Sequence, residues 1–184
     1  MKAACKDDPT FINPCDNLDE LKLLYPEVNP FTLKEMTRLF ETPTWRIHEI
    51  NMMQTACWTG LSVSEYIAVG WEDLDTTDWT LRVRRNRVEG VWKYTKTAGR
   101  TRTIEIMPAA REALMRQKAN TFLLPPIDIR VLQADNKTYL WEKLSPIFLN
   151  SATGKPFLGD QPVRDLFFRD HCKRAGVAYR APNN

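Results

Sequence analysis

The spacing of apolar residues changes twice along the chain, and these changes limit the folds that it can adopt. Helical spacing runs from Pro30 to Val69, and a β-type pattern runs from Trp79 to Ile106. Helical spacing returns from Pro108 to about Phe122 and again from Asp160 to Ala175. Helices, one block of strands and then further helices predict an α+β domain. We expect it to be mostly helical, with a small three-stranded antiparallel sheet.

Local signals predict where the helices begin and end. Thr32 and Glu35 have the spacing of a capping box, and so do Ser62 and Glu65. Thr42-Pro43 predicts the start of a second helix, with proline at its first position. Gly60 and Gly176 are expected to end helices, because glycine readily adopts the left-handed conformation found there.

The predicted strands are Trp79–Val88, Val91–Lys96 and Arg102–Ile106, with a turn at Glu89-Gly90 between the first two. Residues 1–29 are rich in Asp, Asn and Pro, which indicates a linker or tail. The domain itself is therefore expected to span residues 30–184.

Bulk composition excludes some classes of protein. Hydrophobic residues make up 43% of the chain, so disorder throughout is not expected. The four cysteines include no CxxC pair and the two histidines lie far apart, so neither a metal site nor any other cofactor is expected. No apolar run is long enough for a membrane span, and no signal peptide is evident, so we expect a cytoplasmic protein.

The net charge of +3 does not by itself require a nucleic-acid partner, but the positive charges are concentrated in the strands. Between Arg82 and Arg102 the chain has one acidic residue, Glu89, and this segment could contact DNA phosphates. The alternative is a solvated strand face, and charge alone does not decide between them. Trp79, Trp92 and Tyr94 are expected to pack beneath the basic groups. The basic residues are Arg82, Arg84, Arg85, Arg87, Lys93, Lys96, Arg100 and Arg102.

Several short motifs together resemble the catalytic domain of the tyrosine recombinases, the phage-integrase family. Thr59–Glu65 reads Thr-Gly-Leu-Ser-Val-Ser-Glu, similar to the family's Thr-Gly-Leu-Arg-x-Ser-Glu box. Lys96–Ile104 is similar to the family's β-hairpin lysine segment. The order and spacing of the motifs make the resemblance specific, although each is short. The other matching segments are Trp71–Asp75, Pro108–Leu114, Ile147–Asn150, Gly154–Pro156 and Lys173–Val177.

The resemblance implies a site-specific DNA recombinase or integrase encoded by a mobile element. Such enzymes transfer a DNA phosphoryl group to a tyrosine, giving a 3′-phosphotyrosyl intermediate without a metal. Two arginines neutralise the phosphate oxygens, and a hairpin lysine protonates the leaving oxygen. By resemblance, Lys96 is the general acid, the partner is double-stranded DNA, and the full-length protein is a tetramer on two duplexes.

The sequence departs from the family pattern at two places. Ser62 stands at the position of the first arginine, and we expect it to cap a helix rather than take part in catalysis. Arg100 or Arg102 could supply the missing charge. The sequence ends at Asn184, where the resemblance places the start of the His-x-x-Arg box. The catalytic domain is therefore expected to be incomplete and this chain inactive alone.

Two alternatives stay open. The chain could be a non-catalytic, DNA-binding remnant of an integrase, with Ser62 marking the loss of catalysis. Without the resemblance, it could be a helical domain whose basic hairpin binds RNA or a protein.

Overall fold

A computed structural model of the chain describes residues 29–94 and 101–180. These residues form the predicted α+β architecture, with helices before and after two small sheets. Three α-helices precede the strands: α1 (Leu33–Glu41), α2 (Ile47–Thr59) and α3 (Val63–Tyr66). A short 3₁₀ helix (Trp71–Asp73) then leads into the first strand. Helix α4 (Pro108–Thr121) lies between the fifth strand, Arg102–Glu105, and the sixth, Ile127–Leu132. The last helical region joins α5 (Gln161–Val163), a π-helical segment (Arg164–Phe168) and α6 (Arg169–Arg174).

Most of the predicted helix ends are confirmed. Thr32 is the N-cap of α1, and its backbone N–H donates to Glu35 Oε2 at 2.8 Å. Gly60 ends α2 with a φ of 64°, and Gly176 follows α6 with a φ of 63°. The start predicted at Thr42-Pro43 is wrong: Thr42 is the C-cap of α1, and α2 begins only at Ile47.

The strands form two sheets rather than the single three-stranded sheet that was predicted. Strands β1 (Leu74–Asp75), β2 (Thr80–Val83) and β5 (Arg102–Glu105) form an antiparallel sheet in the order β1-β2-β5. The predicted strand over residues 79–88 divides at Arg84, and its second half enters the other sheet as β3 (Arg85–Val88).

The second sheet has the order β3-β4-β6-β7. Strand β4 (Val91–Tyr94) pairs with β3 across the predicted Glu89-Gly90 turn, whose two residues both have positive φ. It also pairs in parallel with β6 (Ile127–Leu132), which forms a hairpin with β7 (Tyr139–Leu144). The sequence analysis did not predict this hairpin.

The main core lies where α2 and α4 pack together and meet the inner face of β2. Its fully buried side chains include Met52, Leu81, Leu114 and Phe148. Polar contacts tie the two helices together, since Asn51 Nδ2 donates to Gln117 Oε1 at 3.0 Å. This packing fixes the end of α2, and with it the loop that carries Ser62.

Candidate functional site

Ser62 begins α3 through the predicted capping box. The Glu65 carboxylate turns back to this residue, and its Oε2 accepts from Ser62 N at 2.9 Å and from Ser62 Oγ at 3.0 Å. Leu61 and Val63 on either side are buried, which anchors the loop in the core. The hydroxyl therefore has a structural role at the start of the helix.

Arg102 reaches this capping box from β5. Its Nη1 donates to Glu65 Oε1 at 2.7 Å, and its Nη2 donates to Glu65 Oε2 at 3.2 Å. Burial by itself raises the pKa of Glu65, but hydrogen bonds from Arg102 and Ser62 outweigh it, so this pKa lies below its usual range. The hydrogen bond to Glu65 raises the pKa of Arg102. A charged, oriented guanidinium therefore lies beside Ser62.

Arg84 and Arg85 lie inside a group of carboxylates, which corrects their expected place on an exposed phosphate-binding surface. The Arg85 side chain is 1% exposed, and its Nη2 donates to Glu72 at 2.8 Å and to Asp73 at 2.5 Å. Both arginines also bind Glu142, at 2.9 Å from Arg85 and 3.2 Å from Arg84. These charges are neutralised within the protein, and neither guanidinium group lies on an exposed strand face.

Arg84 lies at the point where the predicted strand Trp79–Val88 divides, and its contacts with the carboxylates hold it there. Its Nε donates to Asp73 Oδ1 at 2.6 Å, while Nη1 donates to the Tyr94 hydroxyl at 3.2 Å. Burial by itself lowers the pKa of Arg84, but the bond and charge of Asp73 raise it overall. The side chain is thus held between the two sheets at the point where β2 ends.

Arg87 is also withdrawn from the surface. It is 9% exposed, its Nη1 donates to the Phe157 carbonyl at 2.7 Å, and its guanidinium lies 4.3 Å from the ring centre of Trp92. Burial lowers the pKa of Arg87. Packing of Trp92 beneath a basic group is confirmed, but the guanidinium of Arg87 is buried and bonded to a backbone carbonyl.

The remaining predicted contacts are not gathered on one strand pair. Arg82 is exposed on β2, whereas Lys93 is half-buried on β4 in the other sheet. Lys96 and Arg100 lie outside the described residues. Arg82, Lys93, Arg100 and Arg102 therefore stay predictions as DNA contacts, and so does the role of Lys96 as general acid.

The burial and contacts of the described tyrosines bear on whether one of them could act as a nucleophile. Tyr66 is buried, and burial raises its pKa. The Tyr94 hydroxyl accepts a bond from an arginine, and Tyr179 packs edge-on against a phenylalanine. Tyr139 is 42% exposed on β7, and the Arg130 guanidinium lies 4.5 Å from the centre of its ring. Tyr25 lies outside the described residues.

His171 and Arg174 have the literal spacing His-x-x-Arg, but their contacts are structural. His171 is fully buried and stacks on Phe167, and its Nε2 donates to the Leu39 carbonyl at 2.8 Å. Its Nδ1 accepts from Arg174 Nη2 at 3.0 Å. Burial lowers the pKa of His171, which favours the neutral imidazole that these bonds require. This pair holds α6 against α1.

Sequence reasoning also missed an apolar groove between α1, α2 and the last helical region. It has a volume of about 360 Å³, and its lining includes Met36, Met53, Tyr66 and Phe167. The described part of the chain shows no group of three or more His, Cys, Asp or Glu residues arranged for a metal. None of the helices within residues 29–94 and 101–180 has the length and apolar character needed to cross a membrane.

Comparison with known proteins was made in sequence and in structure. No protein-family model matches the chain. In sequence it is similar to "Putative defective protein IntQ" of Escherichia coli (strain K12), with 30% identity over 112 residues. That match covers 60% of this chain and 28% of the relative.

Solved structures of recombinases share the fold. The chain is similar to XerA recombinase, with a TM-score of 0.60, 15% identity and coverage of 91% of this chain and 49% of that one. It is also similar to the Tn1549 transposon integrase in complex with a circular intermediate DNA, with a TM-score of 0.64, 20% identity and coverage of 100% and 57%. The chain thus spans about half of these proteins. The predicted resemblance to the tyrosine recombinases is confirmed, and the fold is that of their catalytic domain.

Proposed function

We propose that residues 30–184 belong to the catalytic domain of a site-specific DNA recombinase or integrase, and residues 1–29 to the linker or tail of a preceding core-binding domain. The observation that most supports this is the fold shared with the Tn1549 integrase, whose structures are complexes with DNA. The sequence match to IntQ adds independent support. The reaction would be phosphoryl transfer to a tyrosine, through a 3′-phosphotyrosyl intermediate, in a tetramer on two duplexes in the cytoplasm.

This chain alone is proposed to be unable to cleave DNA. Tyr66, Tyr94 and Tyr179 are occupied in packing or hydrogen bonds, and Ser62 cannot neutralise a phosphate charge as a guanidinium does. The test is incubation with nicked duplexes carrying candidate attachment sites, followed by a denaturing gel. We expect no covalent protein–DNA adduct. An adduct would contradict the proposal and show that a tyrosine of this chain is a nucleophile.

Binding of duplex DNA is proposed to be weak and to depend on backbone contacts. Arg82, Lys93 and Arg102 keep some exposure, and each phosphate contact contributes about 0.9 to the slope of log K against log salt. Fluorescence anisotropy over a salt series measures this slope. The double variant Arg82→Ala/Lys93→Ala should flatten it, whereas Arg130→Ala on the β6–β7 hairpin should not. Equal slopes in all three proteins would place the contacts elsewhere.

Lys96 is proposed as the general acid of the recombinase site. A 5′-alkoxide is a poor leaving group, so a proton supplied in the transition state accelerates cleavage by about 10²–10⁴-fold. In a version of the protein that forms the phosphotyrosyl adduct, Lys96→Ala should cleave ordinary DNA slowly. It should recover on a substrate with sulfur at the bridging 5′ position, because a thiolate leaves without protonation. Lys93→Ala should show no such rescue, and equally slow cleavage of both substrates by Lys96→Ala would contradict the assignment.

A second candidate is a non-catalytic DNA-binding remnant, and Ser62 is the observation that favours it. Both candidates predict binding of duplex DNA, but only the first predicts cleavage when the family's His-x-x-Arg box and nucleophilic tyrosine are supplied to the chain. An RNA- or protein-binding domain predicts instead that single-stranded RNA competes better than duplex DNA at one salt concentration.

A further inference from the structure

We propose that Arg102 supplies, from β5, the phosphate-binding guanidinium that is missing at Ser62. This inference rests on the proposed binding of DNA and identifies the residue that would make one contact. The charge would then come from a strand that is distant in sequence from the Ser62 loop but adjacent to it in space.

The geometry places the two side chains at the same carboxylate oxygen. Glu65 Oε2 accepts from Ser62 Oγ at 3.0 Å and from Arg102 Nη2 at 3.2 Å. Those two atoms are therefore separated by no more than the sum of these distances. A phosphate at the Ser62 loop would lie within reach of Arg102.

The contact with Glu65 also orients the guanidinium. Two of its nitrogens face the carboxylate in a fork, and the remaining N–H groups are directed away from Glu65. The Arg102 side chain is 38% exposed, so an anion from solvent can approach it. Because less conformational freedom is lost on binding, a held arginine is better prepared for phosphate than a mobile one.

The other arginines of the basic segment are less suitable. Arg84 and Arg85 are bound to buried carboxylates, and Arg87 donates into the interior. In β2, Arg82 is exposed while its neighbour Val83, which pairs with Arg102, is fully buried. Because successive side chains alternate between the faces of a strand, Arg82 lies on the face opposite to Arg102.

The experiment measures duplex affinity over a salt series for the 184-residue chain and its variants. Arg102→Ala should reduce the magnitude of the slope of log K against log salt by about 0.9, the value for one lost phosphate contact. Arg102→Lys should keep most of the slope, because the charge remains. In Arg102→Ala/Ser62→Arg the slope should return, since the new arginine begins at the loop that Arg102 now reaches.

Arg164→Ala is the matched control, because Arg164 is also ion-paired, to Asp160 at 2.9 Å, and its side chain is 40% exposed. Its slope should equal that of the parent. Thermal denaturation identifies variants that fail to fold, and Arg102→Gln replaces the alanine variant in that case.

The possible results distinguish a failure of the proposed function from a failure of the inference about Arg102. A parent chain without salt-dependent duplex binding overturns the proposed function and this inference together. A parent that binds, with an unchanged slope in folded Arg102→Ala or Arg102→Gln, overturns this inference alone. A reduced slope that Ser62→Arg does not restore also overturns it, because Arg102 would then act at a different phosphate.

Discussion

Replacing Arg85 should destabilise the fold rather than weaken DNA binding selectively. The side chain is 1% exposed and donates to Glu72, Asp73 and Glu142 at 2.5 to 2.9 Å. In Arg85→Ala, these three carboxylates would be left with Arg84 as the only cation of the network. The variant therefore leaves three negative charges, among them the buried carboxylate of Asp73, with one positive charge instead of two.

The expected cost follows from this geometry. Removing one partner of a buried ion pair typically costs about 3–5 kcal/mol. For a domain of this size, each 1 kcal/mol lowers the melting temperature by about 2–4 °C, so we expect a decrease of roughly 6–20 °C. Arg82→Ala, at an exposed position in β2, should change stability by less than about 0.5 kcal/mol.

Urea denaturation followed by tryptophan fluorescence gives the free energy of unfolding for the parent, Arg85→Ala and Arg82→Ala. Arg85→Leu is a second variant, because it fills more of the vacated space while still leaving the three carboxylates with Arg84 alone. The reasoning is refuted if Arg85→Ala is as stable as the parent but has a flatter salt dependence of duplex binding. That result would return Arg85 to the DNA-contacting surface.

Three further predictions concern capping and pH. Ser62→Ala should lose about 1 kcal/mol of unfolding free energy, and Ser62→Thr should lose less; an alanine variant as stable as the parent would contradict the cap. Because the pKa of Glu65 is lowered in the folded chain, its contribution is present above its unfolded pKa, near 4.5, and is lost as pH falls through the folded value. Parent and Glu65→Gln should therefore converge in stability at acid pH, and a constant difference would contradict this. The lowered pKa of His171 likewise gives stability above its unfolded pKa, near 6.5, that is lost as pH falls through the folded value. His171→Gln should flatten the pH dependence of unfolding between pH 7.5 and 5, and an unchanged profile would argue against it.

Helix ends were predictable where their signals are local. The capping boxes at Thr32 and Ser62 and the glycine at Gly60 depend on residues within a few positions, so sequence spacing carries the necessary information. Thr42-Pro43 was misassigned because threonine can either begin a helix or follow one. Here its hydroxyl donates to the Arg38 carbonyl at 2.6 Å, which ends α1.

The division of the basic strand could not be predicted from its own residues. Between Arg82 and Arg102, Glu89 is the only acidic residue. The carboxylates that bind Arg84 and Arg85 come instead from residues 72–73 and from Glu142 on β7. The β6–β7 hairpin that carries Glu142 was missed, although Ile127, Ile129 and Val131 alternate along β6. That alternation indicates a strand, but it carries no information about the ion pairs that Glu142 makes with Arg84 and Arg85.

Ser62 shows why stability and phosphate binding oppose each other at this loop. The short Ser62 hydroxyl donates to Glu65, which also accepts from the Ser62 backbone N–H, whereas arginine carries its donors at the end of a long side chain. Arginine at this position would bring phosphate-binding charge but no cap, whereas serine restores the cap and removes the charge. Ser62→Arg should therefore lose about 1 kcal/mol of stability. If Arg102 already neutralises the same phosphate, this variant should barely change the salt slope of the parent chain. An increase of about 0.9 in the magnitude of that slope would mean that the two arginines bind different phosphates.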